Sequence, residues 1–128
     1  MRTALGVVTL AFGTVAALAV PAHAAAASQL TVSVVPEISS GPADHSVTLE
    51  CEPTGGDHPD AKAACADLID AGGDFRRIPP SSAACPQIYR PVVASVQGVW
   101  RGVKISTSAR YINAVCANTE TGGHVFNF

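Results

Sequence analysis

The segment CEPTGGDHPDAKAACADL, from Cys51 to Leu68, limits what this chain can fold into more than any other stretch. It joins a Gly/Pro turn to an amphipathic helix and sets a cysteine at each end, within reach of one local bridge. Asp57 and His58 stand where a helix cap is wanted, and Pro59 suits a first helical position because its missing N–H goes unbonded there anyway. Ala61, Ala64, Cys65, Leu68 and Ile69 then recur at i, i+3, i+4, i+7 and i+8, one apolar stripe. Gly72 and Gly73 supply the stop, so a helix is predicted over about 59–71.

Elsewhere the apolar period is two. Leu30, Val32 and Val34 alternate with Thr31 and Ser33, a strand ended by Pro36. Val47, Leu49 and Cys51 make a second, with a turn over 39–44 between them. A third strand is predicted from about Tyr89 to Val99, with Val92, Ala94 and Val96 on one face. Trp100-Arg101-Gly102 is the turn into a fourth, carrying Val103, Ile105, Thr107, Ala109 and Tyr111. Asn113 caps a short helical turn that holds Cys116, and Val125 to Phe128 is expected to close the sheet as a last strand. The predicted fold is α+β: an antiparallel sheet of about five strands, one main helix and a short second helix on one face.

Residues 1–24 are expected to be a secretory signal, removed before the fold matters. Arg2 is the basic start, Ala4 to Val20 is almost wholly apolar, and Ala22-His23-Ala24 offers a small-x-small cleavage site. Residues 25–128 then form a single exported domain, extracellular and with no membrane segment after signal removal. Four cysteines in a short exported chain read as a disulfide framework. Three pairings are possible; Cys51–Cys65 with Cys85–Cys116 is favoured because the first closes locally and leaves the second pair. A zinc site at Cys51, His58 and Cys65 is the rival, but these spacings fit no usual Cys-x₂₋₄-Cys pattern and export favours oxidation. No metal and no cofactor is expected.

Charge is unevenly spread along a chain of formal net charge −2. Residues 25–74 hold nine acids against Lys62 alone, whereas 75–128 hold six Arg/Lys against Glu120. Net negative charge without a basic-aromatic stripe argues against nucleic acid; the uneven spread reads first as a solvated acidic helix face and loops, and second as Arg76, Arg77 and Arg90 biasing which partner docks nearby. Catalysis finds little support. His45, His58 and His124 fall on turns or ends with no Ser/His/Asp or Cys/His spacing, and His58 beside Pro59 reads as a cap residue. The protein is not expected to be an enzyme.

The odd stretch is Ile78 to Pro91, IPPSSAACPQIYRP, neither helix nor comfortable strand. Pro79, Pro80, Pro86 and Pro91 fix their own φ and push the preceding residues towards extended conformations. Around Cys85-Pro86-Gln87-Ile88 this gives a stiff, extended backbone, the shape a serine protease requires of a bound substrate, although on composition alone an ordinary tethered surface loop is the favoured reading. A loop already held in its bound form loses little entropy on docking.

Taken with Cys51, Pro53, Gly56, His58, Pro59, Ala64, Cys65, Ala66 and Leu68, the chain resembles the bacterial subtilisin-inhibitor family. Tyr89-x-Pro91-Val92-Val93, Gly98-Val99-Trp100 and the Val125-Phe126-x-Phe128 end carry the similarity over nearly all of residues 29–128. The resemblance implies the same disulfide pairing and a secreted inhibitor of subtilisin-like serine proteases that acts in a substrate-like manner. It places the reactive bond at Gln87–Ile88, with Ala83, Ala84, Cys85, Pro86, Tyr89 and Arg90 in the protease-contacting loop. It implies a homodimer through the sheet's exposed face, where Val93, Ser95 and Gln97 stand, and a loop-supporting role for Asn113.

Two departures qualify it: Gln87 stands where relatives commonly carry Lys, Arg, Met or Leu, and one residue is inserted in Asn113-Ala114-Val115-Cys116. Other functions compatible with the same residues are a non-inhibitory binding protein, a transglutaminase acceptor through Gln87 or Lys62, and an inhibitor of a metalloprotease.

Overall fold

The computed structural model describes residues 25–38 and 44–128, together with residues 13 and 16–18. The expected signal segment lies almost entirely outside the described residues, as does most of the turn predicted at 39–44. Four strands, β1 (Ser28–Pro36), β2 (His45–Cys51), β3 (Val92–Trp100) and β4 (Val103–Tyr111), form one antiparallel sheet in the order β2-β1-β3-β4. Register puts like against like on its inner face: Leu30 faces Leu49, Val32 lies between Val47 and Val96, and Val34 meets Ala94. Leu30, Val32, Leu49, Ala94 and Val96 are buried, and each large side chain so placed contributes roughly 1.5–3 kcal/mol.

Both helices, α1 (Ala61–Asp70) and α2 (Ala114–Thr119), pack on that inner face, with a 3₁₀ turn at Phe75–Arg77 between them. α1 buries Ala64, Cys65 and Leu68. Ile69, the last member of the sequence stripe, is exposed, because at 100° per residue it has turned off the buried side. The helix stops at Gly72 and Gly73, both left-handed, with Gly73 N–H bonded to Leu68 O at 2.8 Å and Gly72 N–H to Ile69 O at 3.2 Å. A Cβ on Gly73 would also sit 2.7 Å from the Trp100 ring, so that position accepts no side chain.

The start of α1 departs from the sequence reading. The first helical residue is Ala61, not Pro59, and the residue preceding it is Asp60, not Asp57 or His58; the Asp60 side chain makes no cap bond. Asp57 is used elsewhere, accepting from Thr48 Oγ1 at 2.8 Å and so pinning the turn to β2. His58 supplies the local substitute for a cap: its Nδ1 accepts from the Asp60 N–H at 2.9 Å, and Nε2, 2.8 Å from Val125 O, is left to donate.

Three further boundaries moved. β3 begins at Val92, not near Tyr89, because Pro91 has no N–H to give the ladder. Arg101 and Gly102, both at positive φ, close the β3–β4 hairpin as a two-residue turn. Val125 to Phe128 is not a strand, so the sheet has four strands where about five were expected. After Gly122 and Gly123, Val125 and Phe126 turn inward. Phe126 packs edge-on to Phe75 at 5.0 Å, and Phe128 packs edge-on to His58 at 5.6 Å.

Two disulfides tie these parts together. Cys51–Cys65 fastens the end of β2 to α1 with Cα atoms 5.6 Å apart, and Cys85–Cys116 fastens the loop before β3 to α2 at 5.1 Å. Among the described residues, helices cover only one face of the sheet. The other carries Thr31, Ser33, Val93, Ser95, Gln97, Ser106 and Ser108, with a Ser33–Ser95 hydroxyl hydrogen bond of 2.6 Å.

Candidate functional site

Backbone chemistry sets the site's shape. Between Ile78 and Val92 no residue takes regular structure, and from Ser82 to Arg90 every residue but half-buried Cys85 is exposed. An exposed segment of this length would ordinarily be free to move, yet here the framework ties it down repeatedly. Ser81 N–H bonds to Thr119 O at 2.8 Å upstream. Downstream, Arg90 N–H bonds to Ile112 O at 2.7 Å and Glu37 N–H to Pro91 O at 2.9 Å. Cys85 is joined to Cys116, which is fully buried at the heart of α2.

Asn113 works from beneath. It is buried and its backbone is extended, as an N-cap requires; its Oδ1 accepts the Cys116 N–H at 2.8 Å and so starts α2. Its amide nitrogen then donates to Pro86 O and to Ile88 O, both at 2.8 Å. One carboxamide therefore holds the carbonyls on either side of Gln87. Between them Gln87 stands exposed, its nearest polar contact a long 3.4 Å approach to Cys85 O.

Beyond Gln87 two large apolar side chains face outward, Ile88 at 56 % and Tyr89 at 65 % exposure. Ile88 also lines an open cleft of about 590 Å³ shared with Pro86, Pro91, Ile38 and Val115. Apolar groups left exposed on a backbone held this way keep their hydrophobic gain available for association. Tyr89 is itself held. Its hydroxyl accepts from Arg110 Nη2 at 2.7 Å, and the guanidinium lies 5.8 Å from the ring centroid. Glu37 grips Arg110 Nε at 2.7 and 2.9 Å, and this bond, then the one to Tyr89, holds the guanidinium above its ordinary pKa.

Ala83, Ala84, Cys85, Pro86, Gln87, Ile88, Tyr89 and Arg90 thus form one continuous run, exposed except at Cys85, with Asn113 under its centre. Glu37 and Arg110 were missed from sequence. They lie 73 residues apart, and Arg110 reads locally as an ordinary solvent-facing position of β4. Of the cations picked out by charge, Arg76 is spent on Asp74 through two 2.9 Å bonds, and Arg90 stands exposed beside the cleft.

The remaining sequence candidates are accounted for by structure. Cys51 and Cys65 are bonded to each other, so neither sulfur is a thiolate that could hold zinc. Glu120 comes near Cys85 and Cys116, which are likewise bonded. His58 has both ring nitrogens engaged, and His124 Nδ1 pairs with Asp67 at 2.8 Å.

Residues 24–113 match the family described as subtilisin inhibitor-like. The chain is similar to subtilisin inhibitor-like protein 4 of Streptomyces lavendulae, with 38 % identity over 108 residues, covering 83 % of this chain and 92 % of that protein. It is also 38 % identical over 121 residues to the subtilisin inhibitor of Streptomyces albogriseolus, covering 88 % of this chain and 83 % of that one. Among solved structures, Streptomyces caespitosus sermetstatin in complex with Bacillus licheniformis subtilisin aligns with a TM-score of 0.56 at 26 % identity, covering 73 % of this chain and 91 % of that one.

Proposed function

This chain belongs to the subtilisin inhibitor-like family, and from that footing we propose that it inhibits subtilisin-like serine proteases by offering Gln87–Ile88 as a bond that opens but does not separate. The observation that carries this reading is the pair of Asn113 hydrogen bonds bracketing Gln87, combined with the bridge at Cys85 two residues upstream. Pro86, Cys85, Ala84 and Ala83 lie on the acyl side, and Ile88, Tyr89 and Arg90 follow the bond.

The chemistry is ordinary acyl transfer with an unusual leaving group. The protease serine attacks the Gln87 carbonyl, the bond to the Ile88 nitrogen breaks, and the enzyme's base passes the proton to that nitrogen. In a free peptide the amine diffuses off and water finishes the reaction. Here Ile88 stays beside the acyl group because Asn113 still holds its carbonyl, so the amine attacks again and reforms the bond. Affinity comes from a backbone already fixed in an extended form and from pairing with the enzyme cleft as an added strand.

Specificity follows from Gln87. Its neutral amide cannot form the ion pair that a cation makes with the carboxylate at the base of a trypsin-type pocket, so subtilisin-like enzymes, which read several positions, are the targets. Residues 1–24 direct export and are removed, leaving 25–128 as one extracellular inhibitory domain that is not an enzyme. Two copies associate through the open face of the sheet around Val93, Ser95 and Gln97. Sedimentation of the mature protein tests that pairing, which a monomer at micromolar concentration contradicts.

Titration against subtilisin with Gln87→Gly alongside tests the loop assignment. The native protein should block the enzyme one to one and the variant should be about five- to a hundredfold weaker, given roughly 1–3 kcal/mol for the lost side chain and stiffness. Equal potency rejects Gln87 as the residue that fills the primary pocket.

A further inference from the structure

We infer that Arg110 is a positioning residue for this inhibition: with Glu37 it clamps Tyr89 and so keeps the Ile88 amine seated after the Gln87–Ile88 bond opens. The inference rests on the inhibitor reading above. Opening that bond divides the loop unequally. The acyl side keeps a covalent tether, because Cys85 is two residues from the break. The amine side has no disulfide of its own within the loop and is held by noncovalent contacts alone.

Those contacts are few and can be named. Asn113 Nδ2 reaches Ile88 O, Arg90 N–H reaches Ile112 O, and Glu37 N–H reaches Pro91 O. Tyr89 adds a side-chain anchor one residue from the new amine. Its ring is too exposed to be fixed by the core, so its direction is set by the Arg110 hydrogen bond at 2.7 Å and by the guanidinium 5.8 Å from the ring centroid. Arg110 in turn is fixed by both oxygens of Glu37, whose own backbone already grips Pro91. The end of β1, the outer face of β4 and the start of the post-bond segment are thereby joined in a closed ring of contacts. Each anchor that restrains the amine raises its effective concentration at the acyl group and favours resynthesis over water.

The test uses the mature protein carrying Arg110→Gln, Glu37→Gln or Arg110→Lys, incubated with stoichiometric subtilisin. Hydrolysis rate at Gln87–Ile88 and the final ratio of intact to cut chains are read by mass spectrometry, with thermal unfolding of the intact variants alongside. Arg110→Gln is expected to speed hydrolysis and shift the ratio towards cut chains by about five- to tenfold, the combined effect of a surface ion pair and a cation–π contact. Glu37→Gln should move both readouts less in the same direction, and Arg110→Lys should recover part of the loss. Unfolding temperatures should fall by a few degrees at most, since the same contacts are lost on unfolding. Arg101→Gln, which removes an exposed ion pair to Glu52 and a cation–π contact to Trp100 away from the loop, is the stability-matched control and should leave hydrolysis at the native rate. Native hydrolysis by Arg110→Gln overturns the inference, and so does equal acceleration by Arg101→Gln. If the native protein is neither bound nor cut at this bond, the inhibitor reading falls, and the inference with it.

Discussion

Three hydrogen bonds leave the Asn113 carboxamide, and they serve different ends: the oxygen starts α2, and the nitrogen holds the backbone on both sides of Gln87. Asn113→Asp separates these roles, since a carboxylate still accepts the Cys116 N–H but has nothing to donate to the two carbonyls. The variant should still form α2 but weaken subtilisin binding by about ten- to a hundredfold for two lost bonds, be hydrolysed faster, and lose thermal stability, because a buried carboxylate oxygen then faces two carbonyl oxygens. Asn113→Ala should show the same functional loss plus destabilisation of about 1 kcal/mol from the missing cap. Gln87 carries the second residue-level prediction. Gln87→Lys should create trypsin inhibition where the native protein shows little, measured as a fall of at least about a hundredfold in the inhibition constant, because a cation now meets the pocket's carboxylate. Asn113 was legible as a cap because capping is local. Its contacts to Pro86 and Ile88 cross 27 and 25 residues, a distance at which no short-range signal survives.

At the scale of elements, period-two alternation was enough to find all four strands and their inward faces, since burial of one face imposes that pattern directly. It misled at the C-terminus, where Val125, Phe126 and Phe128 are apolar for packing against Phe75, His58 and the core and not for strand pairing. The start of α1 was misplaced for a related reason. Asp57, read as a cap, is bound by Thr48, whose side-chain and backbone bonds hold its carboxyl below the usual 3.8. A folded pKa below the unfolded one gives stability that is present above pH 3.8 and lost as pH falls through the depressed value. Asp57→Asn should therefore lose stability near neutral pH and show a shallower acid limb, read from unfolding midpoints between about pH 2 and 6. The second bridge makes a stronger test of the loop. Removing Cys85–Cys116 by a double Ser substitution should cost roughly 3–4 kcal/mol and turn the protein from an inhibitor into a substrate digested at and around Gln87.

Across the whole molecule, the layout explains how a small domain makes a rigid protrusion. Among the described residues, the helices and both disulfides occupy one face of the sheet, the loop projects from the region where α2, β4 and the end of β1 converge, and nothing covers the other sheet face. The loop's rigidity is thus a property of the assembled fold, and no isolated peptide of the same sequence should share it. That is why composition could mark the stretch as stiff while Glu37 and Arg110, brought in from distant strands, stayed invisible. The most direct test of this account is stoichiometric digestion: mature protein is mixed with subtilisin, residual activity is followed, and the cut sites are mapped over hours. The account predicts one-to-one loss of enzyme activity, with cleavage confined to Gln87–Ile88 and levelling off with intact chain still present. Rapid cleavage at several bonds with activity regained, or full activity throughout with no cleavage at that bond, would contradict it.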